Sequence, residues 1–402
     1  MISIRSMQAV LTAAVCFGLA FGVGVQADTA VWKTAYYKRT FVGVDQTNWR
    51  GGVDATLLLR TPMAYGGTQA QVFGTGTYTQ PVYMDGMYLV QGADNVGHTQ
   101  GTQYPVTFGG SSTLIIAAGN VSTQSSDIVA LPVTAGSWYL SNRYGNGDGG
   151  NGYMPYAYDV DNEYSLAGTT LTPYGGIRSG ISNRIDVYTT DTRPSIVCYG
   201  DSITAGYAST PNTGNRYPEL LASRIGQPVL NLGVNGDVIT QQGGSSNLIG
   251  SLKGVGSVIY LLGINDLIGG QITTASAYET IAQGLITQNR AAGRKVYWGT
   301  ILPATGYTNF TAADETLRQS INTWIRANSA GADGVIDFDA ALRDPANLSK
   351  MLPSYQSGDW LHPSDAGYQA MAQVAAAAFA IPEPASLSLL ALGGLALLRR
   401  QK

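Results

Sequence analysis

A chain of 402 residues has room for two or three domains, and its 44% apolar content supports a sizeable core. Only 12% of the residues are charged and the formal net charge is −3, so no basic stripe is available to neutralise phosphates and no nucleic-acid partner is expected. The 24 Tyr and 51 Gly, among many Thr, Ser and Asn, fit an extracellular, β-rich protein.

Arg5 is followed by an apolar run from Ala9 to Val25, and Val25-Gln26-Ala27 is a small-residue cleavage pattern. Together they predict a secretory signal over 1–27, removed near Ala27. Cys16 would leave with it, so the mature chain keeps one thiol, Cys198, and can form no intramolecular disulfide. Cys198 lies in an apolar run and reads as a small core residue rather than a nucleophile. Residues 28–190 alternate short Thr/Val/Tyr/Leu runs, such as 55–60, 71–73 and 113–116, with Gly, Asn and Asp turns. No 3.6-residue period is sustained there, and an all-β sandwich, jelly-roll-like, is predicted. Its aromatic residues suit a sandwich core better than a sugar-stacking face. Tyr144–Gly152 is glycine-rich, with Asp159, Asp161 and Glu163 close by. Calcium would accept such oxygen ligands, but the spacing fits no EF-hand loop, and a solvated loop is the expected reading.

From Pro194 the pattern changes to alternating strands and helices. Strands are predicted at 195–199, 228–232, 257–262, 295–302 and 335–338. Helices are predicted at 218–225 with Pro218 in the first turn, at 275–292 closed by Gly293, at 312–329, and at 364–379. Leu317, Ile321, Trp324 and Ile325 fall on one face of the third. The alternation predicts a parallel sheet covered by helices over 194–381, with ligands bound at the carboxyl ends of the strands.

The chemistry-bearing residues fall at those ends. Ser202, in Tyr199-Gly200-Asp201-Ser202-Ile203-Thr204, sits between a strand and the next helix, where the turn exposes a hydroxyl and helix N–H groups can face a developing anion. Alone, Gly-Asp-Ser is an ordinary turn. A nucleophilic Ser needs a base, and the chain has two histidines. His98 lies in a polar loop with no catalytic neighbour in sequence. His362 lies in Asp359-Trp360-Leu361-His362-Pro363, and residues three apart in a helical turn share a face, so the Asp359 carboxylate can reach the imidazole. Acyl transfer also needs oxyanion donors: Gly233, in Gly233-Val234-Asn235-Gly236, offers an N–H without an obstructing side chain, and Asn265, in Gly263-Ile264-Asn265-Asp266, offers a neutral amide. A carboxylate beside His362 is expected to raise its pKa.

Gly-Asp-Ser, Asn-Leu-Gly-x-x-Gly, Gly-x-Asn-Asp and Asp-x-x-His, in this order between Pro194 and Ile381, resemble the SGNH (GDSL) hydrolase family. Ile203 stands where the motif has Leu. The resemblance implies a flavodoxin-like, three-layer α/β/α catalytic domain with Ser202 as nucleophile, His362 as base and Asp359 as its orienting acid. It implies an oxyanion hole formed by Ser202, Gly233 and Asn265. The segment from Pro105 to Leu140 is similar to the β-rich region that precedes the catalytic domain in some secreted SGNH esterases. At the other end Pro382-Glu383-Pro384, the apolar stretch Ala385–Leu398 and the basic Arg399-Arg400-Gln401-Lys402 resemble the PEP-CTERM sorting signal of Gram-negative bacteria. The apolar stretch is short for a full membrane span, which needs about 20 residues.

The reading is thus a secreted serine esterase acting on an ester substrate, foremost the O-acetyl groups of a polysaccharide. It divides into a signal (1–27), a sandwich (28–190), a catalytic domain (194–381) and a sorting segment (382–402) through which membrane or matrix attachment is expected. The alternatives are a lipid esterase of lysophospholipase type and a catalytically silent carbohydrate-binding matrix protein. No cofactor and no metal are expected, because two His and one mature Cys cannot build a His/Cys zinc cluster.

Overall fold

The computed structural model describes residues 29–39, 50–51, 55–77, 82–91, 102–116, 121–144, 153–154, 163–167, 170–174, 182–210 and 213–379. The predicted signal, His98, the glycine-rich loop 145–152, Asp159, Asp161 and the sorting segment lie outside the described residues.

The N-terminal part is antiparallel β-structure, as its two-residue alternation requires. One sheet orders its strands Val31–Tyr37, Ser182–Thr189, Gly67–Thr77 and Val121–Ser125, with Val129–Val133 also paired to Gly67–Thr77. The second runs Thr170–Tyr174, Glu163–Ala167, Ala55–Met63, Gly136–Tyr144, Val82–Gln91 and Gln103–Pro105, with Leu114–Ile116 also on Val82–Gln91. Inward residues of both sheets share one core: Ala35, Val72, Ile185 and Val187 from the first, Met87, Leu89, Trp138 and Leu140 from the second. Trp138, the largest of these, is fully buried, so it serves the core and not a sugar-stacking face.

The C-terminal part is a parallel sheet of β1 (Ser195–Gly200), β2 (Val229–Gly233), β3 (Val255–Leu261), β4 (Lys295–Gly299) and β5 (Gly334–Ile336), in the order β2-β1-β3-β4-β5. Every residue of β1 is buried, as expected of a strand covered on both faces. The helices are α1 (Ser202–Ala205), α2 (Tyr217–Ile225), α3 (Ser245–Ser251), α4 (Ile264–Ile268), α5 (Ala275–Ala291), α6 (Ala312–Arg326), α7 (Phe338–Leu342) and α8 (Asp365–Phe379). A 3₁₀ turn covers Ile239–Gly244. Since β1 lies between β2 and β3, the order reverses beside it, and the crevice outside the strand ends opens there.

Predicted element ends moved where side chains captured the backbone. The strand expected to run to residue 302 stops at Gly299, because the Ile301 N–H donates to Asn322 Oδ1 of α6 instead of to a neighbouring strand. The last strand stops at Ile336 because Asp337 caps α7, accepting the Ala340 N–H. Helix α6 is opened by a capping box between Thr311 and Asp314 and ends three residues early, before Asn328, which has φ of 50° and ties its side chain to both backbone groups of Ala332.

The two parts are stitched together. Thr34 N donates to Lys253 O at 3.0 Å, and Lys253 N donates to Thr34 Oγ1 at 2.9 Å. Arg60 of the larger antiparallel sheet pairs with Glu219 of α2 at 2.7 Å, and Glu219 also holds Arg216. These links are largely buried, where paired charges with hydrogen bonds tolerate desolvation.

Candidate active site

Ser202 opens α1 immediately after β1. Asp201 is the N-cap, accepting the Ile203 N–H at 2.9 Å, and Gly206 closes the helix in the left-handed conformation. Two close approaches hold this short helix against the sheet. A Cβ on Gly200 would lie 2.1 Å from Thr204 Oγ1, and one on Gly233 would lie 2.1 Å from the Ala205 nitrogen. Only glycine permits either contact.

His362 comes from the loop before α8. Ser202 Oγ lies 2.9 Å from His362 Nε2, and His362 Nδ1 lies 2.6 Å from Asp359 Oδ2. The expected three-residue reach from Asp359 is present, but no helix makes it. Asp359 Oδ1 accepts the N–H groups of Leu361 and His362, each at 2.9 Å, and Trp360 turns the chain with φ of 65°. This is an Asx-type turn, in which a short carboxylate bends its own backbone. Tyr207, just past α1, packs its ring 4.3 Å from the imidazole.

Burial lowers the His362 pKa below its ordinary value of 6.5, and Asp359, which raises it, only partly offsets this. The expected upward shift is therefore overturned: Asp359 is itself a third exposed and acts partly through solvent, while the imidazole is enclosed. Burial raises the Asp359 pKa, but hydrogen bonds from the backbone and ring of His362 and from Leu361 outweigh it, and the carboxylate stays below its ordinary range. Asp201 behaves oppositely. Desolvation, with Asp237 and Asp266 near, pushes it up to about 8 against the hydrogen bond from the Ile203 N–H, which lowers it.

The expected oxyanion donors divide. Asn265 starts α4 beyond β3, and its Nδ2 donates to Asp237 O at 2.9 Å, leaving the second amide hydrogen without a partner among the described residues. Gly233 does not present its N–H: that group donates to Asn231 Oδ1 at 2.9 Å, and the residue instead packs against α1. Gly236, three residues on, is exposed with φ of 75°, and its N–H has no partner among the described residues. Asp266, to which sequence reasoning gave no role, accepts from Ile239 N, Thr240 N and Thr240 Oγ1 at 2.8, 3.1 and 2.9 Å. Asn265 and Asp266 thus grip the loop after β2 from one short helix. The signal that the sequence offers for it is the adjacent Asn265-Asp266 pair.

Residues 198–370 match the GDSL-like lipase/acylhydrolase family, and residues 380–402 match the PEP-CTERM protein-sorting motif. No curated protein matches the chain. Similar solved structures include a G-D-S-L family lipolytic protein from Desulfitobacterium hafniense, at 22% identity over 46% of this chain and 99% of that one, TM-score 0.38. A carbohydrate acetylesterase family member from Sinorhizobium meliloti shares 15% identity over 46% of this chain and 96% of that one, TM-score 0.39. A family two carbohydrate esterase from Clostridium thermocellum shares 14% identity over 80% of this chain and 90% of that one, TM-score 0.37. By the family-model match, residues 198–370, which hold the Ser202 turn, form a GDSL-like lipase/acylhydrolase family domain, and the PEP-CTERM motif indicates an exported, envelope-associated bacterial protein.

Proposed function

We propose that the protein is an exported serine esterase that removes O-acetyl groups from a polysaccharide at a Gram-negative envelope. Its parts are the signal over 1–27, the sandwich over 28–190, the catalytic domain over 194–381 and the sorting segment over 382–402. The observation that carries the reading is the unbroken chain Ser202 Oγ, His362 Nε2, His362 Nδ1, Asp359 Oδ2, with spacings of 2.9 and 2.6 Å between side chains.

In this reading Ser202 Oγ attacks the ester carbonyl while Nε2 takes its proton. Asp359 holds the tautomer in which Nδ1 carries hydrogen and stabilises the imidazolium. The carbonyl oxygen becomes an oxyanion, received by Asn265 Nδ2 and the N–H groups of Ser202 and Gly236. Gly233 supports them by letting β2 approach α1. The tetrahedral species collapses to acyl-Ser202 as the carbon–oxygen bond to the sugar breaks, and the imidazolium protonates the departing sugar oxygen, which leaves as a hydroxyl. Water then attacks the acyl group as His362 takes its proton, the bond to Ser202 Oγ breaks, and the imidazolium returns that proton to Oγ, releasing the acid and free Ser202. Acetate is the acyl group this reading favours: the PEP-CTERM motif is consistent with export to the envelope, where O-acetylated polysaccharides would be the available esters. The test compares acetate release from acetylated xylan with hydrolysis of p-nitrophenyl esters of rising chain length. Activity confined to acetyl and other short esters is expected; rates that climb with chain length would make it a lipid esterase instead.

A further inference from the structure

Arg39 belongs to the amino-terminal β region, two residues past the strand Val31–Tyr37, yet its guanidinium ends among groups of the catalytic domain. Its side chain is only 12% exposed. One nitrogen, Nη1, donates to Leu232 O at 3.1 Å and to Asp237 Oδ2 at 2.6 Å, and Nη2 donates to Gln242 Oε1 at 3.2 Å. The guanidinium carbon lies 4.0 Å from the centre of the Tyr199 ring, in the strand that delivers Ser202. Gln242 closes the circuit, accepting Tyr199 Oη at 2.6 Å and donating Nε2 to Asp237 Oδ1 at 2.6 Å and to Val238 O at 2.8 Å. Asp237 then meets the reaction centre, because its carbonyl holds Asn265 Nδ2 at 2.9 Å and Gly236 precedes it.

We propose that Arg39 is a positioning residue for the esterase: the β region supplies the cation that fixes the 233–242 loop, and through it the Gly236 N–H and the Asn265 amide. The proposal rests on the reading of Ser202, Gly236 and Asn265 given above. Its physical basis is the fork of the guanidinium, which can satisfy a carboxylate, a carbonyl and an amide oxygen at once while stacking on a ring. Without it Asp237 is a largely buried carboxylate that has lost its only close ion-pair partner among the described residues. Such a charge either takes up a proton or draws its loop toward water. Displacement of the loop by about 1 Å is enough to cost about 10²-fold in rate.

The experiment uses the full chain, p-nitrophenyl acetate as substrate and circular dichroism as the check on folding. Arg39→Ala is expected to lower kcat by about 10²-fold with little change in KM. Millimolar guanidinium ion is expected to recover part of that loss, and Arg39→Lys, a point charge without the fork, to fall between the two. Adding Asn265→Ala to Arg39→Ala should cost less than the two single effects combined, because both act on one pair of donors. A folded Arg39→Ala protein with unchanged kcat, or full additivity with Asn265→Ala, overturns the proposal. If Arg39→Ala does not fold, undiminished kcat in folded Arg39→Lys overturns it equally. A wild-type protein without esterase activity, or an active Ser202→Ala protein, defeats the esterase reading and this proposal with it. Normal Arg39 variants beside a dead Ser202→Ala protein defeat this proposal alone.

Discussion

His362 lies between two opposing influences, and their balance sets the pH range of the enzyme. In the proposed mechanism its imidazole must be neutral to accept the Ser202 proton. Burial lowers its pKa, Asp359 raises it, and burial prevails, so the neutral form persists below pH 6.5. The acid limb of kcat/KM should therefore be a single ionisation with its midpoint below 6.5, and a midpoint above that value would show that Asp359 dominates. Asp359→Asn should lower kcat by up to about 10⁴-fold, because the tautomer is no longer held. Asn265→Ala should cost about 10²–10³-fold in kcat, read in the same steady-state assay. Ser202, His362, Asp359 and Asn265 are legible in the sequence as a set rather than singly: Gly-Asp-Ser alone is an ordinary turn, and the blocks point to acyl transfer only when they occur together and in this order. The direction of the His362 shift could not, because it depends on enclosure by a distant part of the chain, such as Tyr207 against the ring.

At the scale of elements, the site depends on how closely β2 comes to α1. A methyl group on Gly233 would meet the Ala205 nitrogen at 2.1 Å, and that atom is backbone, so α1, the helix that carries Ser202, must itself move. Gly233→Ala should destabilise the fold by about 1–3 kcal/mol and lower kcat as well, whereas a thermal melt unchanged from wild type would show the contact to be yielding. Two glycines three residues apart look alike in a sequence, and the earlier one has the strand-end setting expected of a donor. What separates them is a side chain: Asn231, two residues upstream in the same strand, takes the Gly233 N–H. Strand and helix order from β1 onward was legible because apolar runs and capping signals agree there. The element ends were less so, since Asn322 and Asp337 stop strands through bonds to residues well separated in sequence or through a cap. The Asp-x-x-His pair was found through helical spacing although the chain makes an Asx-type turn, because both geometries bring residues three apart together.

Across the whole molecule, the two cores are joined by Thr34 to Lys253, Arg60 to Glu219 and Arg39 to Asp237, so the β region is tied to the catalytic sheet at several points. The sequence distinguished the two regions by their periodicity but gave no sign of these ties, which form between residues far apart in the chain. The ends follow a separate logic. Intact-mass measurement of the protein secreted by its native host should find a chain beginning near Asp28 and lacking the segment after Pro384; a soluble form that retains Leu387–Leu398 would contradict processing at the sorting motif. The central claim is that Ser202, activated by His362 and Asp359, carries the acyl group. It is tested most directly by reaction of the purified protein with a fluorophosphonate followed by peptide mapping. The label is expected on Ser202 alone, and lost in both Ser202→Ala and His362→Ala. A label on any other serine, or labelling of Ser202 that survives His362→Ala at the wild-type rate, would contradict the account.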